Sequence, residues 1–146
     1  MATWYEVTPE RLVLEYIRVR KKYSNAVLKK SGTSLGWVIE IDPPPFGNPV
    51  PLRVEIIYTE AFPAQPPNAK ILSPDLPKDF GHTWHRWFGN GNICYVKPRF
   101  WAMSSTADEI IEKLHDWYFN FVAKSAGLVD KMPDVGRWEQ GLKSCE

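Results

Sequence analysis

The chain has 146 residues and a formal net charge of +1, and its composition is 44% hydrophobic and 24% charged. Such proportions are ordinary for a folded domain, and a charge near zero gives no general attraction to nucleic acid or to a membrane surface. No apolar run approaches the roughly 20 residues of a membrane-spanning helix, and the N-terminus lacks the basic and apolar regions of a signal peptide. We therefore expect a single domain over residues 1–146, with no nucleic-acid and no membrane partner.

The first predicted element is a helix that begins with Thr8 as N-cap and Pro9 at the first helical position. Apolar residues at helical spacing predict its buried stripe: Leu12, Tyr16, Val19 and Tyr23. The basic residues lie largely away from that stripe: Arg11, Arg18, Lys21 and Lys22. We interpret them as the solvated face of a packed helix, and a docking surface for a partner is the alternative.

Four strands are predicted next, at residues 25–30, 35–41, 51–58 and 69–72. The second is rich in β-forming residues, and the third alternates so that Leu52, Val54 and Ile56 share one face. Between them, the proline-rich run 42–49 can be neither helix nor central strand, so it is a loop. The short connections favour an antiparallel meander.

Residues 73–104 show no period but carry many glycines, prolines and aromatic residues. So many aromatic side chains bury enough area to order the segment, which predicts an aromatic flap that packs on the core rather than a ligand box. A second helix follows, capped by Thr106 and Glu109 or by the equally spaced Ser105 and Asp108. Its apolar stripe is wide: Ile110, Ile111, Leu114, Trp117, Tyr118, Phe121 and Val122. Gly127 is the predicted stop, and any later helix is short.

Only two cysteines occur, Cys94 and Cys145. A disulfide framework is therefore not expected, a reducing cytoplasm is the simpler location, and Cys94 is predicted to be a free thiol. Cys94 lies in a glycine-flanked turn, which favours a nucleophile over a small buried hydrophobic residue. Nearby cations would increase its thiolate fraction: His85, Arg86, Lys97 and Arg99. Cys145 is interpreted as an inert residue of the tail.

The order of these elements resembles the ubiquitin-conjugating enzyme (UBC) fold, over roughly residues 8–125. Three runs carry the resemblance. Tyr58 followed by Phe62-Pro63-Ala64-Gln65-Pro66-Pro67 resembles the family's aromatic-Pro-x-x-Pro-Pro segment, and Asn90-Gly91-Asn92-Ile93-Cys94 resembles its active-site run. Trp101, with the Ser/Thr residues after it, resembles the entry to the central helix. The implied fold is α+β: an N-terminal helix, a four-stranded antiparallel meander, an active-site flap, a central helix and a shortened C-terminus.

The resemblance implies a transferase that holds the C-terminus of a donor protein as a thioester on Cys94 and passes it to an amine, without a cofactor. The family's His-Pro-Asn tripeptide is replaced by Trp84-His85-Arg86. Support for the oxyanion is therefore assigned to His85 and Asn92, with His82, Asn90 and backbone N–H groups as alternatives. The family's downstream acidic residue has only Asp130 as a counterpart.

This shortened form resembles bacterial members of the superfamily, including stand-alone proteins of cyclic-nucleotide antiphage operons. The implied partners are an activating enzyme, docked through Arg11, Arg18, Lys21 and Lys22, and an acyl donor. The donor would be a ubiquitin-like protein or a cyclic-nucleotide synthase (a nucleotidyltransferase). Two alternatives stay open: a catalytically silent binding module, and a structural zinc protein with His82, His85 and Cys94 as ligands.

Overall fold

The computed structural model describes residues 2–47, 49–76, 84–87, 90–96 and 101–132. Within these residues the chain forms two helices, four strands and a long third helix, in that order. The predicted α+β class is confirmed, and the order of elements is consistent with a UBC-like topology. Predictions for His82, Lys97, Arg99, Cys145 and a short helix in the tail fall outside the described residues.

One helix precedes those predicted: α1 (Trp4–Val7). Thr3 and Glu6 cap it reciprocally, because the Glu6 N–H donates to Thr3 Oγ1 at 3.3 Å and the Thr3 N–H donates to Glu6 Oε1 at 3.0 Å. This is the Ser/Thr-x-x-Glu pattern of a capping box, so the signal is present in the sequence. The Trp4 ring packs on Tyr58 and Phe62, which fixes α1 against the sheet.

The predicted first helix, α2 (Pro9–Lys22), begins where the sequence indicates, but its buried face differs from the predicted stripe. Val19 is buried as expected, whereas Tyr16 is 46% exposed and the neighbouring Glu15 is buried instead. Glu15 turns inward because its Oε1 accepts hydrogen bonds from the Tyr58 hydroxyl at 2.7 Å and from the Ala107 N–H at 3.0 Å. A buried polar contact therefore decides the rotation of this helix.

The strands form one antiparallel meander in the order β1-β2-β3-β4. Their bounds lie within two residues of the predictions: β1 (Val27–Ser31), β2 (Ser34–Ile41), β3 (Leu52–Ile57) and β4 (Asn68–Ser73). The predicted alternation of β3 is confirmed, with Leu52, Val54 and Ile56 fully buried. These residues form the core with the inward side chains of β2: Leu35, Trp37, Ile39 and Ile41.

The long helix, α3 (Ala107–Ser125), covers this core. Its N-terminus is capped as predicted, since the Thr106 N–H donates to the Glu109 carboxylate at 2.8 Å. All seven residues of the predicted apolar stripe are buried. Gly127 adopts φ +76°, which a side chain would disfavour, and the chain leaves the helix there.

Glu15 is the centre of a buried polar network that joins the elements. The Tyr58 hydroxyl donates to Glu15 and accepts from the Trp37 indole N–H at 2.9 Å, while Arg11 Nε lies 3.4 Å from Glu15 Oε2. Burial raises the pKa of Glu15, and the hydrogen bonds from Tyr58 and Ala107 oppose that rise. The carboxyl group thus links α2, the sheet and the N-terminus of α3.

None of the helices in the described ranges combines the length and the apolar character that crossing a bilayer requires.

Candidate functional site

Cys94 lies in the second arm of a small hairpin between β4 and α3. Its N–H donates to the His85 carbonyl oxygen at 2.7 Å, and the next pair of the hairpin, Arg86 and Ile93, forms an antiparallel bridge. Gly91, near the tip, adopts φ +70°, a conformation that glycine tolerates without strain. The backbone at Cys94 and immediately before it is therefore held by the opposite arm.

The hairpin is attached to the outer edge of the sheet. The Ile93 N–H donates to the Ala69 carbonyl oxygen of β4 at 2.9 Å, and the Tyr95 hydroxyl donates to the Pro67 carbonyl oxygen. Pro67 ends the Phe62–Pro67 segment, one of the three runs that carry the family resemblance. The structure therefore places this segment beside the cysteine run.

A second attachment joins the hairpin to α3. The Trp117 indole N–H donates to the Trp84 carbonyl oxygen at 2.9 Å, and the Trp84 ring packs on Phe121 at a centroid distance of 4.9 Å. The Lys124 ammonium lies 3.7 Å from the centre of the same Trp84 ring, a cation–π contact. Cys94 is consequently held between the edge of the sheet and the long helix.

The Cys94 side chain is fully buried, and its sulfur is in a disulfide bond. The expectation of a free thiol is therefore wrong for this state of the protein, since no described cysteine is free. The sequence contains one other cysteine, Cys145, which lies outside the described residues. The physical reason for the error is that counting cysteines detects a framework of several bridges but does not exclude a single disulfide bond.

His85, predicted to assist catalysis, lies opposite Cys94 in the hairpin. Its side chain is only 2% exposed, and its backbone adopts φ +51°. Non-glycine residues seldom adopt this conformation, and such residues concentrate at functional sites. The contact that joins it to Cys94 is made by the His85 carbonyl oxygen. A catalytic role for the imidazole therefore stays a prediction.

Asn92, the other predicted catalytic residue, is half-buried and bonded through its backbone. Its N–H donates to Asn90 Oδ1 at 2.8 Å, and its carbonyl oxygen accepts from the Trp87 N–H at 2.8 Å. It lines a cavity of about 110 Å³ together with Pro66, Pro67, Asn68, Ala69, Trp87, Ile93, Tyr95 and Val96. This volume is well below that of a typical ligand pocket. The structure thus places Asn92 beside the proline segment, two residues from Cys94.

Arg86, the last residue of the Trp84-His85-Arg86 tripeptide, is buried. Its Nε donates to the Gly91 carbonyl oxygen at 2.8 Å, which braces the tip of the hairpin. Burial lowers the pKa of Arg86, and the Asp75 carboxylate opposes that shift. The sequence predicts Arg86 only as a nearby cation, and its bracing role follows from the register of the hairpin.

The four basic residues predicted to dock a partner divide into three groups. Arg11 is largely buried, because its guanidinium donates to the carbonyl oxygens of Met103 at 2.7 Å and Ser105 at 2.5 Å. Arg11 therefore braces the segment that leads into α3 rather than presenting a charge to a partner.

Arg18 and Lys22 also contact α3. Arg18 Nε lies 3.3 Å and Lys22 Nζ 2.9 Å from the buried carboxylate of Asp108, and both basic side chains remain nearly half exposed. Lys21 is exposed and makes no hydrogen bond or ion pair with any residue that the structure describes. Of the predicted set, Lys21 fits a docking surface best.

Replacing Asp108 by asparagine is expected to lower the free energy of unfolding by about 1–2 kcal/mol at pH 7, because a buried acceptor of several hydrogen bonds loses its charge. Burial alone would raise the pKa of Asp108, but hydrogen bonds from Thr106, Lys22 and Arg18 outweigh it and lower the pKa to about 2. The contribution is therefore complete above the ordinary value of 3.8 and is lost as pH falls through about 2.

Urea unfolding at a series of pH values between 2 and 7 measures this effect. Below pH 4 the Asp108→Asn variant should lose less stability than the wild type does. Asp116→Asn removes an exposed carboxylate of the same helix and is the matched control. The assignment fails if all three proteins show the same pH dependence.

The zinc alternative finds no support among the residues that can be assessed. The described ranges contain no cluster of three or more His, Cys, Asp or Glu side chains able to hold a metal ion. Of the three ligands considered, His85 and Cys94 are described, and His82 lies outside these ranges.

Comparison of the chain with protein-family models and with curated proteins finds no match.

Proposed function

We propose that this protein is a ubiquitin-conjugating-like acyl transferase in which Cys94 carries the C-terminus of a donor protein as a thioester. The observation that carries the proposal is the hydrogen bond of 2.7 Å between the Cys94 N–H and the His85 carbonyl oxygen, in a hairpin attached to β4 and to α3. A thioester carrier needs a fixed backbone around its sulfur, because its reaction partners are large and must approach from one direction. The α+β fold and the Asn90–Cys94 run support the same function.

The disulfide must be reduced before this chemistry begins. The Cys94 thiolate then attacks the activated C-terminal carbonyl carbon of the donor, forms the new C–S bond and expels the group that activated the donor. In the second step an amine attacks the same carbonyl, the C–S bond breaks, and the thiolate leaves with an amide as the product. A thiolate is a good leaving group, which explains the use of cysteine here.

The proposed partners are an activating enzyme and an acyl donor. The donor is a ubiquitin-like protein or a cyclic-nucleotide synthase, and the setting is bacterial antiphage defence. Lys21, on the exposed face of α2, supports docking of the activating enzyme, and the nearly half-exposed Arg18 and Lys22 lie on the same helix. No protein-bound cofactor takes part in either step.

Incubation of the reduced protein with a peptide that ends in Gly-Gly as a mercaptoethanesulfonate thioester tests the proposal without a known partner. We expect an adduct of peptide mass on the wild type and on Cys145→Ser, and none on Cys94→Ala. Intact-mass spectrometry measures the adduct, and hydroxylamine should remove it. An adduct of equal yield on Cys94→Ala contradicts the assignment.

One observation favours a second candidate, a catalytically silent UBC-like binding module. The Cys94 side chain is fully buried and the His-Pro-Asn tripeptide is absent, so the sulfur serves packing in this alternative. The same experiment separates the two functions. A fully reduced wild type that forms no adduct at any peptide concentration supports the silent module.

A further inference from the structure

The helix α2 carries a second apolar stripe, which the core does not use. Val13, Leu14 and Ile17 are 55%, 44% and 57% exposed. They lie on the side of the helix opposite Glu15 and Val19, its two buried residues. Because the water-facing side of a helix in a folded domain is normally polar, an exposed stripe of this kind indicates a surface that another chain covers.

Two residues of opposite charge border this stripe, one at each end. Glu10 lies four residues before Leu14, which places it on the same face of the helix. Lys21 lies four residues after Ile17 and shares that face in the same way. Both are exposed, and neither forms an ion pair with any residue in the described ranges. Both charges are therefore available to a second molecule.

The stripe is complementary to itself. Glu10 and Lys21 are equally far along the sequence from the peptide bond between residues 15 and 16, and Leu14 and Ile17 are also equally far from it. When two copies of α2 pack antiparallel across a two-fold axis at this point, each Glu10 meets the partner's Lys21. Each Leu14 then meets the partner's Ile17, so opposite charges close both ends of an apolar contact.

We propose that two copies of this chain form a weak antiparallel dimer through the exposed face of α2. The second copy is the occupant because a single short surface supplies both members of each charge pair, at the positions that a two-fold axis requires. The apolar centre contributes the attraction, and the charge pairs fix the direction of packing.

The other basic residues of α2 do not oppose this arrangement. The Arg20 guanidinium donates to the carbonyl oxygens of Ser24 and Ala26, both at 2.7 Å, so it is held at the end of the helix. Arg18 and Lys22 form ion pairs with a buried carboxylate of α3. Lys21 is thus the cation of this helix that remains for the partner.

The size of the surface sets the expected affinity. The 14 residues of α2 span about 21 Å, and a contact of one helix face per protomer falls in the weak class of interfaces, below about 1,200 Å² in total. We expect a dissociation constant between about 10 and 300 μM. The dimer covers Lys21, so it excludes the activating enzyme of the proposed function from that residue, but self-association does not rest on that function.

Sedimentation equilibrium of the full chain in tris(2-carboxyethyl)phosphine tests the association independently of any activity. The average mass of the wild type should rise from 16.8 kDa towards twice that value as its concentration approaches about 1 mM. Ile17→Glu places a charge in the centre of the stripe and should weaken association at least about tenfold. Leu128→Glu makes the same kind of change at a residue that is 63% exposed and lies outside α2, so this matched control should associate like the wild type.

A wild type that stays monomeric at the highest concentration overturns the proposal and leaves the stripe to a different protein. An Ile17→Glu variant that associates as strongly as the wild type also overturns it, because the contact then lies elsewhere.

Charge swaps test the antiparallel direction. Glu10→Lys and Lys21→Glu each place like charges opposite one another at both ends of the dimer, so each variant alone should associate roughly tenfold more weakly than the wild type. An equimolar mixture should recover the wild-type affinity, because the two different chains meet with opposite charges at both ends. Recovery also shows that both variants are folded. Single variants as tight as the wild type, or a mixture no tighter than either variant alone, contradict the arrangement.

Discussion

Replacing Trp117 by alanine is expected to lower the free energy of unfolding by about 4 kcal/mol, one of the two largest effects on stability that the structure implies. Trp117 is fully buried on α3, and its ring stacks on Phe121 at a centroid distance of 4.9 Å. The substitution leaves a large cavity between the helix and the hairpin. Urea unfolding followed by far-ultraviolet circular dichroism measures the loss, and a change below about 2 kcal/mol would contradict the packing described.

Trp117→Phe separates the anchor from the packing. Phenylalanine keeps most of the ring but removes the indole N–H that donates to the Trp84 carbonyl oxygen. The expected loss is about 1 kcal/mol, together with faster hydrogen exchange at the Cys94 amide, because the first arm of the hairpin loses its contact with α3. Exchange at Val54 in β3 is the internal control. Equal protection of the Cys94 amide in both proteins would show that Trp117 does not hold the hairpin.

Replacing Glu15 by alanine is expected to lower the free energy of unfolding by about 3 kcal/mol. The change leaves the Tyr58 hydroxyl and the Ala107 N–H without their acceptor, and it leaves the largely buried Arg11 without the carboxylate that lies 3.4 Å away. The core removes the Tyr58 hydroxyl and the Ala107 N–H from water, and the Arg11 side chain is 13% exposed. Glu15→Gln is the matched control, because its side-chain oxygen accepts from the same two donors.

The stability of Glu15→Gln relative to the wild type should change with pH in a defined direction. Because burial raises the pKa of Glu15 above 4.5, the folded protein binds a proton that the unfolded chain has already lost. The stability that Glu15 contributes is therefore full below pH 4.5 and declines as pH rises through the raised value. Glu15→Gln should lack this decline, so its stability relative to the wild type improves from pH 4 to pH 7. A parallel pH dependence of the two proteins would contradict a buried, ionisable Glu15.

The elements that the sequence predicts correctly are those in which local periodicity and burial agree. The alternation of Leu52, Val54 and Ile56 and the wide stripe of α3 each meet a continuous apolar surface, so the pattern alone identifies the buried face. Even the helix that was not predicted, α1, has its capping pair at Thr3 and Glu6. These features depend on residues that are close in the sequence.

The wrong predictions concern contacts with residues far along the chain, which a local pattern does not reveal. The prediction that Tyr16 is buried was wrong, and Glu15 is buried instead. Tyr58 and Ala107 donate hydrogen bonds to Glu15, and a helical pattern does not reveal these donors. The sequence predicts a solvated face for the basic residues of α2, but three of them contact α3 or the segment that leads into it: Arg11, Arg18 and Lys22. The state of the Cys94 sulfur is the clearest case, because a count of two cysteines does not decide whether either of them is free.

The structure brings the cysteine run and the proline segment into contact, and this contact alone does not test the candidate site. Its chemistry was assigned by resemblance, and the roles of His85 and Asn92 remain predictions. The bracing of the hairpin by Arg86 and Trp117 was not foreseen, because it requires the register of the hairpin and its distance from α3.

The central claim is that the Cys94 thiol becomes reachable once its disulfide is reduced. The most direct measurement is the rate of iodoacetamide alkylation of Cys94 in reduced Cys145→Ser protein, folded and in denaturant, because this variant has a single thiol. The account predicts a folded-state rate within roughly tenfold of the unfolded rate. A folded-state rate more than about a thousandfold slower, as expected for a thiol that reacts only after global unfolding, would contradict it.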